Sequence, residues 1–396
     1  MFYRRDLSDT LLRFSKFPVI AILGPRQSGK TTIAKNTFKN HVFLSLEDPE
    51  LLAMANDDPK GLLRRYENEF GIILDEFQNA PKILALIQVE ADAKDRPGYF
   101  VLTGSQNFLM NEAIAQSLAG RVGILTLLTL SINELEENNI LPKNVETLIL
   151  NGQYPRIYKS NFEPTDLYPS YIHSYLERDI RQIINLTNLR SFQKFLILCA
   201  GRVGQLLNIS EIACQCGISS PTAQNWLSAL EASYIIYMLK PFWNNFNKRV
   251  IKTSKLYFYD TGLVCSLLGI TTIKDLINSP FYGSLFECLI ISDLYKQFFN
   301  IGTQVPLYFW RDTNKRNEID CLIDKGGKLI PIEIKSSETY NPHFFNTIKE
   351  WSKISDTSLI NSYVIYGGDL MFKDENGNLL NWKNMGKLVL QTKELL

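Results

Sequence analysis

Long apolar runs are missing from this chain of 396 residues. No stretch approaches the ~20 residues that would span a bilayer, so no membrane role is expected. The first residues, Met1-Phe2-Tyr3-Arg4-Arg5-Asp6, are charged at once and lead into no apolar signal core. Histidine is scarce, with three in all, and the six cysteines (199, 214, 216, 265, 288, 321) show no paired C-x-x-C spacing. Cys214-Gln215-Cys216 stands alone, which leaves neither an obvious zinc site nor a disulfide framework. The thiols are expected to be reduced and mostly buried, in a cytoplasmic protein. An excess of either charge is also lacking. The formal net charge is +1, so any affinity for nucleic acid must come from a local basic patch.

What is present is ordinary globular chain, 45% apolar and 21% charged, with a length prior of two or three domains. The whole is organised around Gly24-Pro25-Arg26-Gln27-Ser28-Gly29-Lys30-Thr31, with Thr32 beside it. This G-x-x-x-x-G-K-[ST] phosphate loop follows the apolar run Pro18 to Leu23 and precedes a helix-compatible segment. Gly24 and Gly29 permit a backbone approach that a side chain would block. Inward N–H groups and the helix N-terminus form a seat for the phosphates of ATP. Lys30 is expected to reach the β- and γ-phosphates, and the Thr31 hydroxyl to ligate magnesium.

Short apolar runs then alternate with helical patterns, as in a parallel α/β sheet. The run Gly71 to Glu76 ends in two acids, the Walker B pattern. Asp75 is expected to hold magnesium through water, and Glu76 to orient or deprotonate the attacking water. A fourth strand, Tyr99 to Thr103, stops at Gly104-Ser105-Gln106-Asn107. Thr103, Ser105 and Gln106 are all candidates to sense the γ-phosphate. After Ser117-Leu118-Ala119-Gly120 comes Arg121, which could neutralise transition-state charge in its own site or a neighbour's, or be a salt-bridged surface residue. A neighbour's site would require a homo-oligomer.

These motifs together resemble a widespread prokaryotic family of AAA-type ATPases of the additional-strand P-loop class, whose C-terminal region is uncharacterised. The resemblance covers nearly the whole chain and implies an ATPase assignment and a domain order, without a physiological task.

Further along, Ser131-Ile132-Asn133-Glu134 has capping-box spacing, and Tyr171 to Asn185 reads as a charged amphipathic helix. Arg178 or Arg181 in it could serve as a second phosphate sensor or pair along the helix face. Residues 203–240 suggest a helix, the tight turn Gly217-Ile218-Ser219, a second helix opened by Ser220-Pro221, and a strand from Tyr234 to Leu239. This is a helix-turn-helix in a winged-helix setting. Thr222, Gln224 and Asn225 on the second helix can read base edges. The cations Lys240, Lys248, Arg249, Lys252 and Lys255, interleaved with Phe242, Trp243 and Phe246, could bind DNA or form a solvated hairpin.

The last third runs strand, helix, then a long helix bearing Glu287, three strands, a helix and a strand. With Asp320 on the second of those three strands and Glu333-Ile334-Lys335 on the third, it is similar to the PD-(D/E)xK nuclease superfamily. Alternation puts Glu333 and Lys335 on one face. The resemblance implies that Asp320, Glu333 and Glu287 hold a metal while Lys335 activates water or stabilises the leaving charge. Cross-strand ion pairing without catalysis is the competing account.

The expected architecture is therefore α/β and multidomain: a P-loop AAA-type ATPase domain (1–135), a helical connector (136–190), a winged helix (191–256) and a restriction-endonuclease-like α/β domain (257–396). The expected function is magnesium-dependent ATP binding and hydrolysis, directed at DNA. A nucleotide-gated binding switch whose last domain does not cleave remains the alternative.

Overall fold

The structure, a computed structural model, describes residues 3–390 apart from 95, 106–113, 115–116, 177–179, 181–187, 243–252 and 313–316. Two compact units emerge. One comprises Met1–Leu130 with Ala232–Tyr234 and Phe299–Thr303; the other comprises Ser131–Glu231, Ile235–Phe298 and Gln304–Leu396. Among the described residues, no helix is long and apolar enough to cross a membrane. The six cysteines are free and all but Cys214 are buried.

The first unit is built on strands β1 (Val19–Leu23), β2 (Val42–Ser45), β3 (Ile72–Asp75), β4 (Phe100–Gly104) and β5 (Val122–Thr126), in the spatial order β2-β3-β4-β1-β5. Every pairing is parallel. β4 lies between the phosphate-loop strand β1 and the acidic strand β3, which is the inserted strand expected of this ATPase class. β1, β3 and β4 are buried along their whole length, which is why each reads as an unbroken apolar run rather than an alternation. Ile20, Ile22, Ile73 and Val101 pack with Leu7, Leu11 and Ile33 from flanking helices. Parallel pairing in register brings the phosphate loop, Asp75 and the end of β4 to one edge of the sheet, the carboxyl edge where such sheets bind ligands. The unit is completed by backbone from much later in the chain: Thr10 Oγ1 donates to the Asn300 carbonyl at 2.7 Å and Arg13 to that of Ile301 at 2.6 Å.

The second unit contains β6 (Ile236–Pro241), β7 (Lys255–Phe258), β8 (Leu307–Arg311), β9 (Glu318–Lys325), β10 (Lys328–Lys335), β11 (Tyr363–Tyr366), β12 (Phe372–Asp374) and β13 (Gly377–Asn381). Their order is β12-β13-β11-β10-β9-β8-β6-β7. The anticipated succession is present: helix Tyr282–Asn300, then β8, β9 and β10, helix Asn346–Ser355, and β11. The β9–β10 hairpin turns at Gly326 and Gly327, with φ of 64° and 92°. Trp310, Ile319, Leu322, Ile348, Trp351 and Val364 form its core. The hairpin β12–β13 was not anticipated.

The helix pair is also present, as Ile209–Cys216 and Ser220–Ala232, joined through Gly217 at φ 66°. Trp226 meets the rings of Phe192 and Phe195 edge-on. β6 pairs antiparallel with β7, as a wing strand can, and also parallel with β8 inside the large sheet. The second compact unit spans the expected divisions at 190 and 256, and the leading segment of the first unit runs to Leu130. The capping box at Ser131 and Glu134 is formed. Of the helix expected over 171–185, Ile172–Leu176 forms a π-helical turn, while 177–179 and 181–185 lie outside the described residues. Arg178, Arg181, Gln106, Asn107, Trp243, Phe246, Lys248, Arg249 and Lys252 lie outside the described residues.

Candidate functional site

The phosphate loop leaves β1 at Gly24, where φ is 153° and an added Cβ would lie 2.0 Å from the Leu127 carbonyl oxygen. Only glycine fits against that backbone. Gly29, at φ 98°, caps the helix Lys30–Thr37. Lys30 is buried and its ammonium donates to the carbonyls of Gly24 at 3.0 Å and Pro25 at 2.8 Å. The cation thus arches over the loop on acceptors that phosphate oxygens would replace. Gln27 takes φ 62° and its Oε1 is buried without a hydrogen-bond partner. Arg26 reaches Glu47 at 3.6 Å, Ser28 is buried, and Thr32 is exposed.

Strand β3 delivers Asp75 beside this loop. Thr31 Oγ1 donates to Asp75 Oδ1 at 2.8 Å, and Thr103 donates to the same oxygen. Burial raises the Asp75 pKa, opposed by those two hydroxyl bonds. A hydroxyl and a carboxylate held together are the oxygen donors a hard dication prefers, so the residues present fit magnesium. Glu76, next in sequence, takes a left-handed φ of 54°. The Gln78 amide donates to its carboxylate, and Ser105 Oγ donates to Glu76 Oε2 at 3.3 Å. Of the three sensor candidates, Thr103 therefore orients Asp75 and Ser105 touches Glu76. Gln78 was missed by sequence reasoning; its place one turn past the acids was the available signal.

Arg121 is not near this site in its own chain. Its carbonyl accepts from Val19 N at 3.2 Å, at the amino end of β1. The five residues of β1, at ~3.3 Å each, put roughly 16 Å between it and the loop. Its guanidinium is paired with Asp92 and donates to the Ala119 carbonyl at 2.9 Å. In this arrangement the guanidinium is engaged with Asp92 rather than with the loop of its own chain.

In the second unit, Glu287, Asp320, Glu333 and Lys335 are brought together. Asp320 Oδ2 accepts from Ile334 N at 2.8 Å, and Lys335 Nζ meets Glu333 Oε1 at 2.6 Å. Three residues not foreseen in the site join them. Lys255 on β7 is buried between Glu287 at 3.1 Å and Glu318 at 2.5 Å, and the Tyr257 hydroxyl donates to Glu287. Lys255 is thus an internal cation, not part of an exposed basic stretch. Burial pushes the Glu287 carboxyl up to about 7. Burial likewise raises Asp320 and Glu333, the latter well above the usual range with Asp320's charge adding to it. Lys335 is raised because neighbouring Glu333 and Asp320 outweigh its burial. Glu333 is 3% exposed, yet its Oε2 has no hydrogen-bond partner. Among the described residues, no three His, Cys, Asp or Glu side chains converge as a ready metal-ligand set. The donors suit a hard cation, but as arranged the two lysines occupy the centre.

Residues 16–136 match the AAA domain family, and the first unit is a P-loop ATPase domain of AAA type. Two domains of unknown function match the remainder, DUF8612 over residues 142–274 and DUF4143 over 282–385. Uncharacterized proteins of Mycobacterium tuberculosis and Mycobacterium bovis are each 28% identical over 374 residues, 93% of this chain and 81% of theirs. Among solved structures, a Walker-type ATPase of Pyrococcus abyssi gives a TM-score of 0.46 at 15% identity, over 67% of this chain and 96% of that one. The Holliday junction branch migration motor of Thermotoga maritima gives 0.29 at 17% identity, over 59% and 85%. Both likenesses are remote.

Proposed function

We propose that the protein hydrolyses ATP with magnesium in its first unit. The contact of Thr31 with Asp75, with Glu76 alongside, carries this reading. Bound magnesium would supply charge neutralisation on the phosphates. Lys30 releases its loop carbonyls to hold phosphate oxygens, and the N–H groups behind Gly29 orient them. Glu76 positions the attacking water, and Gln78 with Ser105 sets the carboxylate's direction. Lys30→Ala is expected to lose nucleotide binding, whereas Glu76→Gln keeps binding and loses turnover. Equal phosphate release by wild type and Glu76→Gln would remove Glu76 from this role.

The second unit is read as a winged-helix and PD-(D/E)xK-like assembly acting on DNA. The buried, unpartnered Glu333 Oε2 among four acids favours a metal there. Asp320, Glu333 and Glu287 would hold it once Lys255 and Lys335 yield, and Lys335 would face the leaving charge. The exposed Gln224 and Asn225 on the second helix of the pair offer amide groups to base edges. Manganese titrated calorimetrically into Lys30→Ala isolates this site from the ATP site. Binding that disappears in Asp320→Ala supports it. No binding, together with no cleavage of DNA, leaves a nucleotide-gated binding switch as the function.

A further inference from the structure

The amino-terminal segment contributes a residue that no motif marks. Arg5 is 4% exposed, and its guanidinium lies against the outer side of the phosphate loop. Nη1 donates to the Ser28 carbonyl at 2.6 Å. Nη2 donates to the Leu128 carbonyl at 2.8 Å and to that of Thr129 at 3.4 Å. The same Nη1 would stand 3.5 Å from a Cβ placed on Gly29, so the guanidinium abuts the Ser28–Gly29 peptide itself.

The geometry of that peptide gives the contact a function. A trans peptide is planar, and its C=O and N–H point in opposite directions. Fixing the Ser28 carbonyl outward on Arg5 therefore fixes the Gly29 N–H inward, at the mouth of the helix Lys30–Thr37 where phosphate is seated. Gly29 is the residue least able to hold that direction unaided, since glycine has the widest choice of backbone angles and here sits at φ 98°. The other side of the guanidinium is anchored on backbone just beyond β5, next to Leu127, the residue that Gly24 packs against. Both ends of the loop are thus braced on one short segment, Gly24 by direct contact and Ser28 through Arg5. The planar fork of arginine can hold two such carbonyl sites at once, which a single ammonium cannot do with the same fixed geometry.

We propose that Arg5 is a positioning residue of the nucleotide site, holding the Ser28–Gly29 peptide so that its N–H faces the phosphates of a nucleoside di- or triphosphate. The inference rests on reading the loop as a phosphate seat. It predicts a loss in affinity shared by ADP and ATP, because the peptide is aligned before either binds and does not depend on the γ-phosphate.

The test uses the full chain with a fluorescent ADP and ATP. Arg5→Ala is expected to weaken both by ~10-fold or more, the scale of one charge-assisted hydrogen bond lost. Arg5→Lys should fall between, and millimolar guanidinium should restore part of the Arg5→Ala loss. Thermal unfolding without nucleotide is followed in parallel. A folded Arg5→Ala protein whose affinities stay within about twofold of wild type would overturn the proposal, as would a loss that guanidinium leaves untouched. Should Arg5→Ala fail to fold, Arg5→Lys decides: unchanged affinity sinks the idea and a shared loss for ADP and ATP upholds it. Wild type that binds neither nucleotide would overturn the phosphate-seat reading and this inference with it, whereas wild-type binding with unaffected variants overturns the inference alone.

Discussion

The phosphate loop and the acid–lysine cluster of the second unit solve opposite electrostatic problems. The loop is an array of partial positive charge made from backbone, with one lysine temporarily satisfied on its own carbonyls. It is incomplete until an anion arrives. The cluster gathers Glu287, Glu318, Asp320 and Glu333 around Lys255 and Lys335, and it satisfies part of its own charge in ion pairs. A backbone site keeps its shape with or without ligand, because the fold sets the direction of each N–H. A side-chain site relaxes into ion pairs when no ligand is present, so its resting arrangement understates what it can bind. Excess carboxylate, and an orphaned Glu333 Oε2, record the difference.

Removing the central cation should break that balance most sharply. Lys255→Met removes the buried cation between Glu287 and Glu318, leaving Glu287 without it while Arg311 still pairs with Glu318 at 3.0 Å, and losing one member of a buried pair costs about 3–5 kcal/mol. Urea unfolding of the second unit at neutral pH should report it. The loss should shrink in acid, as the stranded carboxyls protonate. An equal loss at both pH values would mean that packing of the lysine stem, not charge, dominates.

The pH dependence of the wild type sharpens the same point with a smaller effect. Burial raises the Glu287 carboxyl from its ordinary value of 4.5 to about 7, so the folded state holds a proton that the unfolded chain has released. Its contribution is full below 4.5 and is lost as pH rises through 7, on the order of 3 kcal/mol for a single group. Asp320 and Glu333 shift the same way. Thermal midpoints of the cluster unit should therefore fall between pH 4.5 and 7, and Glu287→Gln should flatten the slope. A midpoint that climbs across this interval would contradict the assignment.

Arg121 marks the smallest effect and tests whether the loop site needs a second copy. Its pair with Asp92 is solvent-exposed, so Arg121→Ala should leave the thermal midpoint essentially where it was. If a neighbouring chain's site uses it, hydrolysis per chain rises with protein concentration in the wild type and stays low in the variant. A wild-type rate per chain that is flat with dilution would return Arg121 to the surface.

How legible each region was follows from how each is built. The loop site is local: Gly24 to Thr31 and Leu74 to Glu76 carry their chemistry in consecutive residues, and the apolar strands announce the sheet. Arg5 and Gln78 escaped because their contacts arise from folding, not from spacing. In the second unit, Asp320, Glu333 and Lys335 were visible through period-two alternation. Lys255 was misassigned to a solvated basic stretch because nothing local shows that β7 is drawn beside β6 and the helix Tyr282–Asn300. For the same reason the parallel pairing of β6 with β8 was not foreseen: β8 begins at Leu307, far along the chain.

The hydrogen bonds from Thr10 and Arg13 to Asn300 and Ile301 set an order of events on the ribosome. Most of the ATPase sheet is synthesised within the first third of the chain, yet the backbone that receives its first helix is among the later segments to emerge. Domains of a nascent chain commonly fold in turn from the amino end. Here Leu7 and Leu11 can pack as soon as the sheet is made, whereas the carbonyl partners of Thr10 and Arg13 leave the exit tunnel only after the long helix. Until then those two donors of the leading unit meet water instead of their own chain's later backbone.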